Sequence, residues 1–222
     1  MTAFALTYDG PVAVATMRNG ENRIGSDMLG SWNSMLDDVI DDDSVSSLVV
    51  VGSDRYWSTG LDLEEVAELT EVERMSFMRR VDLLLGRILE LPLVTIAALN
   101  GHTYAAGALL ALAHDFRIMR HDKGYFCLPS IDVGIPFSPG MSALITAKLP
   151  QPIAHDLVVS CRRIGGAEAE RTGVINRATD AASVLPVAVG LGHEYSGKDA
   201  ATIRAVKRRL YPEATSMLSV DE

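Results

Sequence analysis

The stretch 93-LVTIAALNGHTYAAGALLALAHDFRIM-119 decides the fold of this 222-residue chain. Residues 93–99 are apolar and partly β-branched, short enough for a strand enclosed on both faces. Asn100-Gly101 breaks that pattern and predicts a tight turn. From Ala105 the sequence changes to good helix formers, AAGALLALA, nine residues without a charge. A helix apolar all round is a core helix, and the apolar residues up to Met119 predict a second buried strand.

The junction at Ala105, Ala106 and Gly107 has a chemical use. The first amides of a helix lack intrahelical partners and sit at the positive end of its dipole. Side chains this small let a ligand oxygen come within hydrogen-bonding distance of those amides, which suits an oxyanion. Small residues also permit close packing of helix on sheet. This stretch alone leaves both readings open.

Length suits one fairly large domain with a small appended segment. A hydrophobic fraction of 48 % supplies ample core and argues against global disorder. Twenty basic against 29 acidic residues gives net charge −9, which disfavours nucleic acid or an anionic membrane as partner. The longest uncharged apolar run falls short of a membrane span. MTAFALTYDG lacks the basic region of a signal peptide. Two cysteines, Cys127 and Cys161, in no activating context, complete the case for a cytoplasmic protein with reduced thiols.

Working outward, 4–8 and 12–17 flank Asp9-Gly10 as a hairpin. Ser26 is placed to cap a helix over 27–40, which runs into Asp41, Asp42 and Asp43, a solvated exit. Residues 48–51 read as a buried strand and lead to 56-YWSTGLDL-63, where a glycine precedes an acid-rich helix start. Val72, Met75, Met78, Val81, Leu84, Leu85 and Ile88 predict a long amphipathic helix with the methionines in a core stripe. Further helices are expected at 138–149, 152–160 and 167–172, then a strand at 174–177. Two last helices, 181–191 and 198–210, finish the chain. Alternating strands and helices indicate an α/β layered fold.

Several chemistries lack their motifs. There is no phosphate loop, no GxGxxG after a strand and no GxSxG elbow. The five histidines form no HExxH and no close pair with cysteine, so no metal site is expected.

Taken together, YWSTGLDL, 98-ALNGHTYAAGALLALAHDFRIM-119, 129-PSIDVGIP-136 and 162-RRIGGAEAERTGVINRA-178 resemble the crotonase family. These are the enoyl-CoA hydratases and isomerases, and the likeness is in particular to the plant-peroxisomal type of Δ3,Δ2-enoyl-CoA isomerase. It extends over about 12–210. The resemblance implies a spiral of ββα units over 1–180 and a C-terminal helical segment of trimerisation type over 181–222, in one continuous domain. It implies an acyl-CoA thioester substrate, no cofactor beyond that coenzyme A, and a homotrimer or dimer of trimers.

The resemblance assigns the oxyanion amides to Leu61 and Ala106. Each such donor contributes roughly 3–4 kcal/mol to a developing enolate, by analogy with other oxyanion holes. Thr59, Gly60, Asp62, His102, Gly107, Leu109 and Lys207 follow as substrate contacts. His102 and Tyr104 either line the thioester channel or fill the turn. Lys207, Arg208 and Arg209 either meet a coenzyme A phosphate or form a solvated helix face.

The proton-handling positions depart from the family. The hydratases' two glutamates match Leu109 and Ser130. Leucine moves no proton, and serine needs a partner base. Isomerisation needs one base only. Asp132 points to the same side as Ser130 if the segment is extended, or else is a turn carboxylate. Asp62, Glu64 and Glu65 are candidates too, or helix-start acids favoured by the dipole. Asp115 reads as a helix terminator. The expectation is an enoyl-CoA isomerase with a displaced base. The alternatives are a non-catalytic acyl-CoA-binding protein and, third, a weak hydratase or thioester hydrolase.

Overall fold

The computed structural model describes residues 3–53 and 55–219. The chain opens with an antiparallel hairpin, β1 (Phe4–Asp9) and β2 (Val12–Met17), whose turn holds Gly10 at φ +57°. Helix α1 (Ser26–Ile40) follows. Three turns of one pattern come next, each with a long strand, a short strand and helix. The first is β3 (Ser47–Gly52), β4 (Tyr56–Ser58), α2 (Leu63–Glu68) and α3 (Glu71–Leu89). The second is β5 (Val94–Leu99), β6 (His102–Tyr104) and α4 (Ala106–Ala113). The third is β7 (Phe116–Arg120), β8 (Phe126–Cys127), α5 (Pro139–Lys148), α6 (Gln151–Ser160) and α7 (Gly166–Arg171). Strand β9 (Arg177–Thr179) and helices α8 (Val184–Glu194), α9 (Ala200–Leu210) and α10 (Pro212–Leu218) complete the described chain.

Long strands join one sheet in the order β1-β2-β3-β5-β7-β9, parallel beyond the hairpin, and short strands form a second sheet, β4-β6-β8. The chain therefore spirals, adding one strand to each sheet per turn. β3 and β5 are buried at every residue because both faces of the large sheet are covered. Val49, Val51 and Ile96 face a minor cluster closed by Val184 and Ala188 of α8. Leu48, Val50, Ala97 and Leu99 alternate with them and face the main core with α1, α3, α4 and α5. α4 is buried along its whole length.

Several elements differ from the sequence reading. α1 is capped not by the Ser26 side chain but from outside: the Ser26 N–H donates to the Glu65 carboxylate at 3.0 Å. α3 begins with a capping box between Thr70 and Glu73, and its first turns lie over solvent. Val72 and Met75 are exposed, so the core stripe starts only at Phe77. The last strand lies at Arg177–Thr179 rather than 174–177, and its first partner is Ile118 of β7. Helix α10 was not foreseen: its Leu218 packs against Gly86 and Gly140, where a methyl group would fall 2.8 Å and 2.6 Å from it. Asp115 does more than end a helix, accepting from the Thr95 N–H and hydroxyl at 2.8 and 3.0 Å.

Lys207 is a correction of substance. Its ammonium is buried, 2.6 Å from Asp115 Oδ2, and donates to the Leu91 and Leu93 carbonyls at 3.1 and 2.7 Å. All three donors of the ammonium are committed inside the protein, so none is left for a phosphate. The amphipathic pattern of α9 carries a lysine whose stem reaches the core. Arg208 pairs with Glu90 at 3.5 Å, and Arg209 is exposed.

Candidate active site

Two loops, each leaving a strand of the small sheet, bring two backbone N–H groups to one place. In the first, β4 ends at Ser58 and the chain turns through Gly60 at φ +96°, a conformation that suits glycine alone. Ser58 Oγ donates to the Asn22 carbonyl at 2.8 Å and accepts the Gly60 N–H at 3.2 Å. The Ile24 N–H donates to the Gly60 carbonyl at 2.8 Å, and the Asp62 N–H to the Ile24 carbonyl at 3.0 Å. Among the described residues the Leu61 N–H has no acceptor.

In the second loop, Ala105 precedes α4 at φ +51°, ψ −124°, a sparsely populated region for a residue with a Cβ. Such strain costs on the order of 1–3 kcal/mol and persists only where surroundings impose it. Here the Ala105 N–H is held by the Cys127 carbonyl at 3.0 Å, and its own carbonyl accepts from Leu109 at 3.1 Å. The Ala106 N–H, first of the helix, is left without an acceptor among the described residues. The loops touch: a methyl on Gly60 would lie 2.8 Å from Ala105 Cβ and 3.1 Å from Ala106 N. Gly107 serves this closeness, since a methyl there would meet the Ser58 carbonyl at 2.6 Å.

Leu61 and Ala106 open on a cavity of about 170 Å³. Thr59, Leu109 and Ser130 share its wall with Met78, Phe137 and Met141. Of the residues expected to contact substrate, Thr59 and Leu109 thus line the cavity. Gly60 and Gly107 stand behind the amides as spacers. Asp62 caps α2, its Oδ1 accepting from the Glu65 N–H at 3.4 Å. Glu64 is exposed and pairs with Arg23 at 3.3 Å.

The expected bases are placed otherwise than an extended segment predicts. Residues 130–134 form a turn in which Val133 N–H donates to the Pro129 carbonyl and Ile135 N–H to the Ser130 carbonyl, both at 3.1 Å. Asp132 is therefore carried outward; it is exposed and absent from the cavity wall. Ser130 faces the cavity, but its hydroxyl donates to the Ile135 carbonyl at 2.6 Å. Among the described residues the wall holds no carboxylate, imidazole or amine, and Tyr104 is its one titratable residue. Sequence reading left Tyr104 undecided between lining and filling. Met78, Phe137 and Met141 carried no signal beyond apolar spacing.

His102 is not part of that wall; it shares a face of β6 with Tyr104, its Nδ1 2.7 Å from the Tyr104 hydroxyl. Burial, then Arg55 and Arg163, lowers the imidazole pKa from its ordinary value. Burial chiefly raises the Tyr104 phenol. Cys127 is pushed up to about 11 by burial and stays a thiol, donating to the Cys161 carbonyl at 3.1 Å.

The spiral α/β fold thus sets two backbone N–H groups, without acceptors among the described residues, beside an apolar cavity. A family model described as enoyl-CoA hydratase/isomerase matches residues 8–220, and the chain belongs to that family, the crotonases. It is 32 % identical over 209 residues to enoyl-CoA delta isomerase 3 of Arabidopsis thaliana, covering 90 % of this chain and 88 % of that one. It is likewise 32 % identical over 218 residues to a probable enoyl-CoA hydratase of Bacillus subtilis, covering 95 % and 83 %. The solved structure of an enoyl-CoA isomerase from Mycobacterium tuberculosis superimposes with a TM-score of 0.89 at 23 % identity, covering 98 % of this chain and 94 % of that one. The crotonase fold is thus the architecture of this chain. No helix among the described residues is long and apolar enough to cross a membrane.

Proposed function

We propose that the protein binds an acyl-CoA thioester and isomerises Δ3- to Δ2-enoyl-CoA through an enolate held by the Leu61 and Ala106 N–H groups. The observation that carries this reading is that pair of donors, unpaired and adjoining at the mouth of an apolar cavity. Removing a proton α to a thioester places negative charge on its carbonyl oxygen. Donors fixed in advance, away from water, stabilise that charge without reorganising.

Isomerisation is favoured over hydration by the wall itself. Hydration must orient a water molecule between an acid and a base, and Leu109 and Ser130 supply neither. Moving a proton from C2 to C4 needs no water in the cavity. On the family resemblance, the working form is a homotrimer or dimer of trimers.

The absence of any carboxylate from the wall among the described residues supports one other reading, an acyl-CoA-binding protein without turnover. Rates with 3-enoyl-CoA and 2-enoyl-CoA separate the two. The isomerase reading expects conversion of the first to outrun hydration of the second. Tight binding of both with turnover of neither supports the binding protein.

A further inference from the structure

We propose that the cavity beside Leu61 and Ala106 is a length gauge for a plain hydrocarbon acyl chain, with room for about six carbons and a floor made by Leu109 and Met141. The inference rests on the acyl-CoA reading above and adds to it the class of acyl group.

The cavity has an open end and a closed one. Leu63 and Val133 line it and are 47 % and 45 % exposed, so they form its rim. Leu109 and Met141 line it and are 1 % and 2 % exposed, so they form its floor. That floor is backed by packed structure. Leu109 belongs to α4, which is buried over its whole length. Met141 belongs to α5, whose Gly140 sits so close to Leu218 of α10 that a methyl group there would fall 2.6 Å from it. The volume of about 170 Å³ is close to that of a dry cavity that takes up benzene, about 150 Å³, so about six carbon atoms fill it.

The wall also decides what the chain can carry. Its polar side chains among the described residues are Thr59, Tyr104 and Ser130, and each already has a partner. The Thr59 hydroxyl donates to Glu21 Oε2 at 3.3 Å, the Tyr104 hydroxyl meets His102 Nδ1 at 2.7 Å, and the Ser130 hydroxyl donates to the Ile135 carbonyl at 2.6 Å. The Leu61 and Ala106 N–H groups are taken by the thioester oxygen. A carboxylate at the far end of the chain would meet an apolar floor, with neither a cation nor a free side-chain donor to replace its water.

Calorimetric binding of acetyl-, butanoyl-, hexanoyl- and decanoyl-CoA to the full chain tests the gauge without turnover. Kd should fall about fourfold per added methylene up to hexanoyl-CoA and then level off by decanoyl-CoA. Adipoyl-CoA should bind at least about tenfold more weakly than hexanoyl-CoA. Met141→Ala opens the floor and should carry the fall in Kd about two carbons further. A folded Met141→Ala whose limit stays in place overturns the assignment of the floor. In the wild type, a Kd that ignores chain length or keeps falling to decanoyl-CoA overturns the proposal, and so does adipoyl-CoA bound as tightly as hexanoyl-CoA. Each of these leaves the acyl-CoA reading intact. The expected series without isomerisation of 3-hexenoyl-CoA supports the gauge and overturns the isomerase reading. Binding of none of these thioesters refutes both.

Discussion

The Lys207 ammonium lies 2.6 Å from Asp115 Oδ2 in the interior, tying the last turn of α9 to the residue between α4 and β7. Removing one partner of a buried pair leaves the other uncompensated, at about 3–5 kcal/mol. Lys207→Met should therefore lower stability by about 3 kcal/mol, since it also orphans the Leu91 and Leu93 carbonyls. Chemical denaturation measures this. A large rise in KM for the thioester in an otherwise stable variant would instead restore Lys207 as a phosphate ligand.

Gly60 is a spacer that two amides depend on. A methyl there meets Ala105 Cβ at 2.8 Å, with φ at +96°, so Gly60→Ala must push the two loops apart. Loss of one oxyanion donor costs about 10²–10³ in kcat, and Gly60→Ala should lose activity on that scale. Steady-state kinetics with 3-enoyl-CoA reads the effect. Activity near wild type means the loops do not act as donors.

Asp132 and Ser130 divide the remaining proton chemistry. Asp132 is exposed outside the cavity, so Asp132→Asn should change isomerisation by less than about twofold, as an ordinary surface substitution does. Ser130 is buried in the wall, and Ser130→Glu brings a carboxylate to the cavity. That variant should gain hydration of 2-enoyl-CoA over wild type. Abolition of turnover by Asp132→Asn would return the base to the turn.

His114 makes stability depend on pH. Burial holds its imidazole down at about 4 against an ordinary 6.5, with Nδ1 2.7 Å from the Leu110 carbonyl. The unfolded chain takes up a proton near 6.5 and the folded chain only near 4. The stability it contributes is therefore present above 6.5 and is lost as pH falls through that window, by up to about 3 kcal/mol. Unfolding free energies from pH 7 to 4 should show a shallower decline in His114→Gln, which does not titrate.

What the sequence disclosed follows from where burial acts on single residues. β3, β5 and α4 were legible because residues enclosed on all sides must be apolar, and the strand–turn–helix order followed from that alone. The two loops that adjoin at the cavity were legible too, because only a residue without a side chain fits at Gly60 and Gly107. β4, β6 and β8 were not: two or three residues are too few to show a period, and a neighbouring strand holds them. Lys207 misled because a charged residue in a basic run gives no sign that its tip meets a carboxylate 92 positions away in the chain. Asp132 misled because the turn at 130–134 reverses the direction that an extended chain would give it.

On the proposed reading, two N–H groups polarise one thioester oxygen. The direct measurement is the vibrational spectrum of an acyl-CoA carrying a 13C carbonyl, bound to the wild type and to Gly60→Ala. A carbonyl stretch moved to lower frequency in the wild type and moved back in the variant is expected. A bound thioester whose carbonyl absorbs at its solution frequency in the wild type would contradict it.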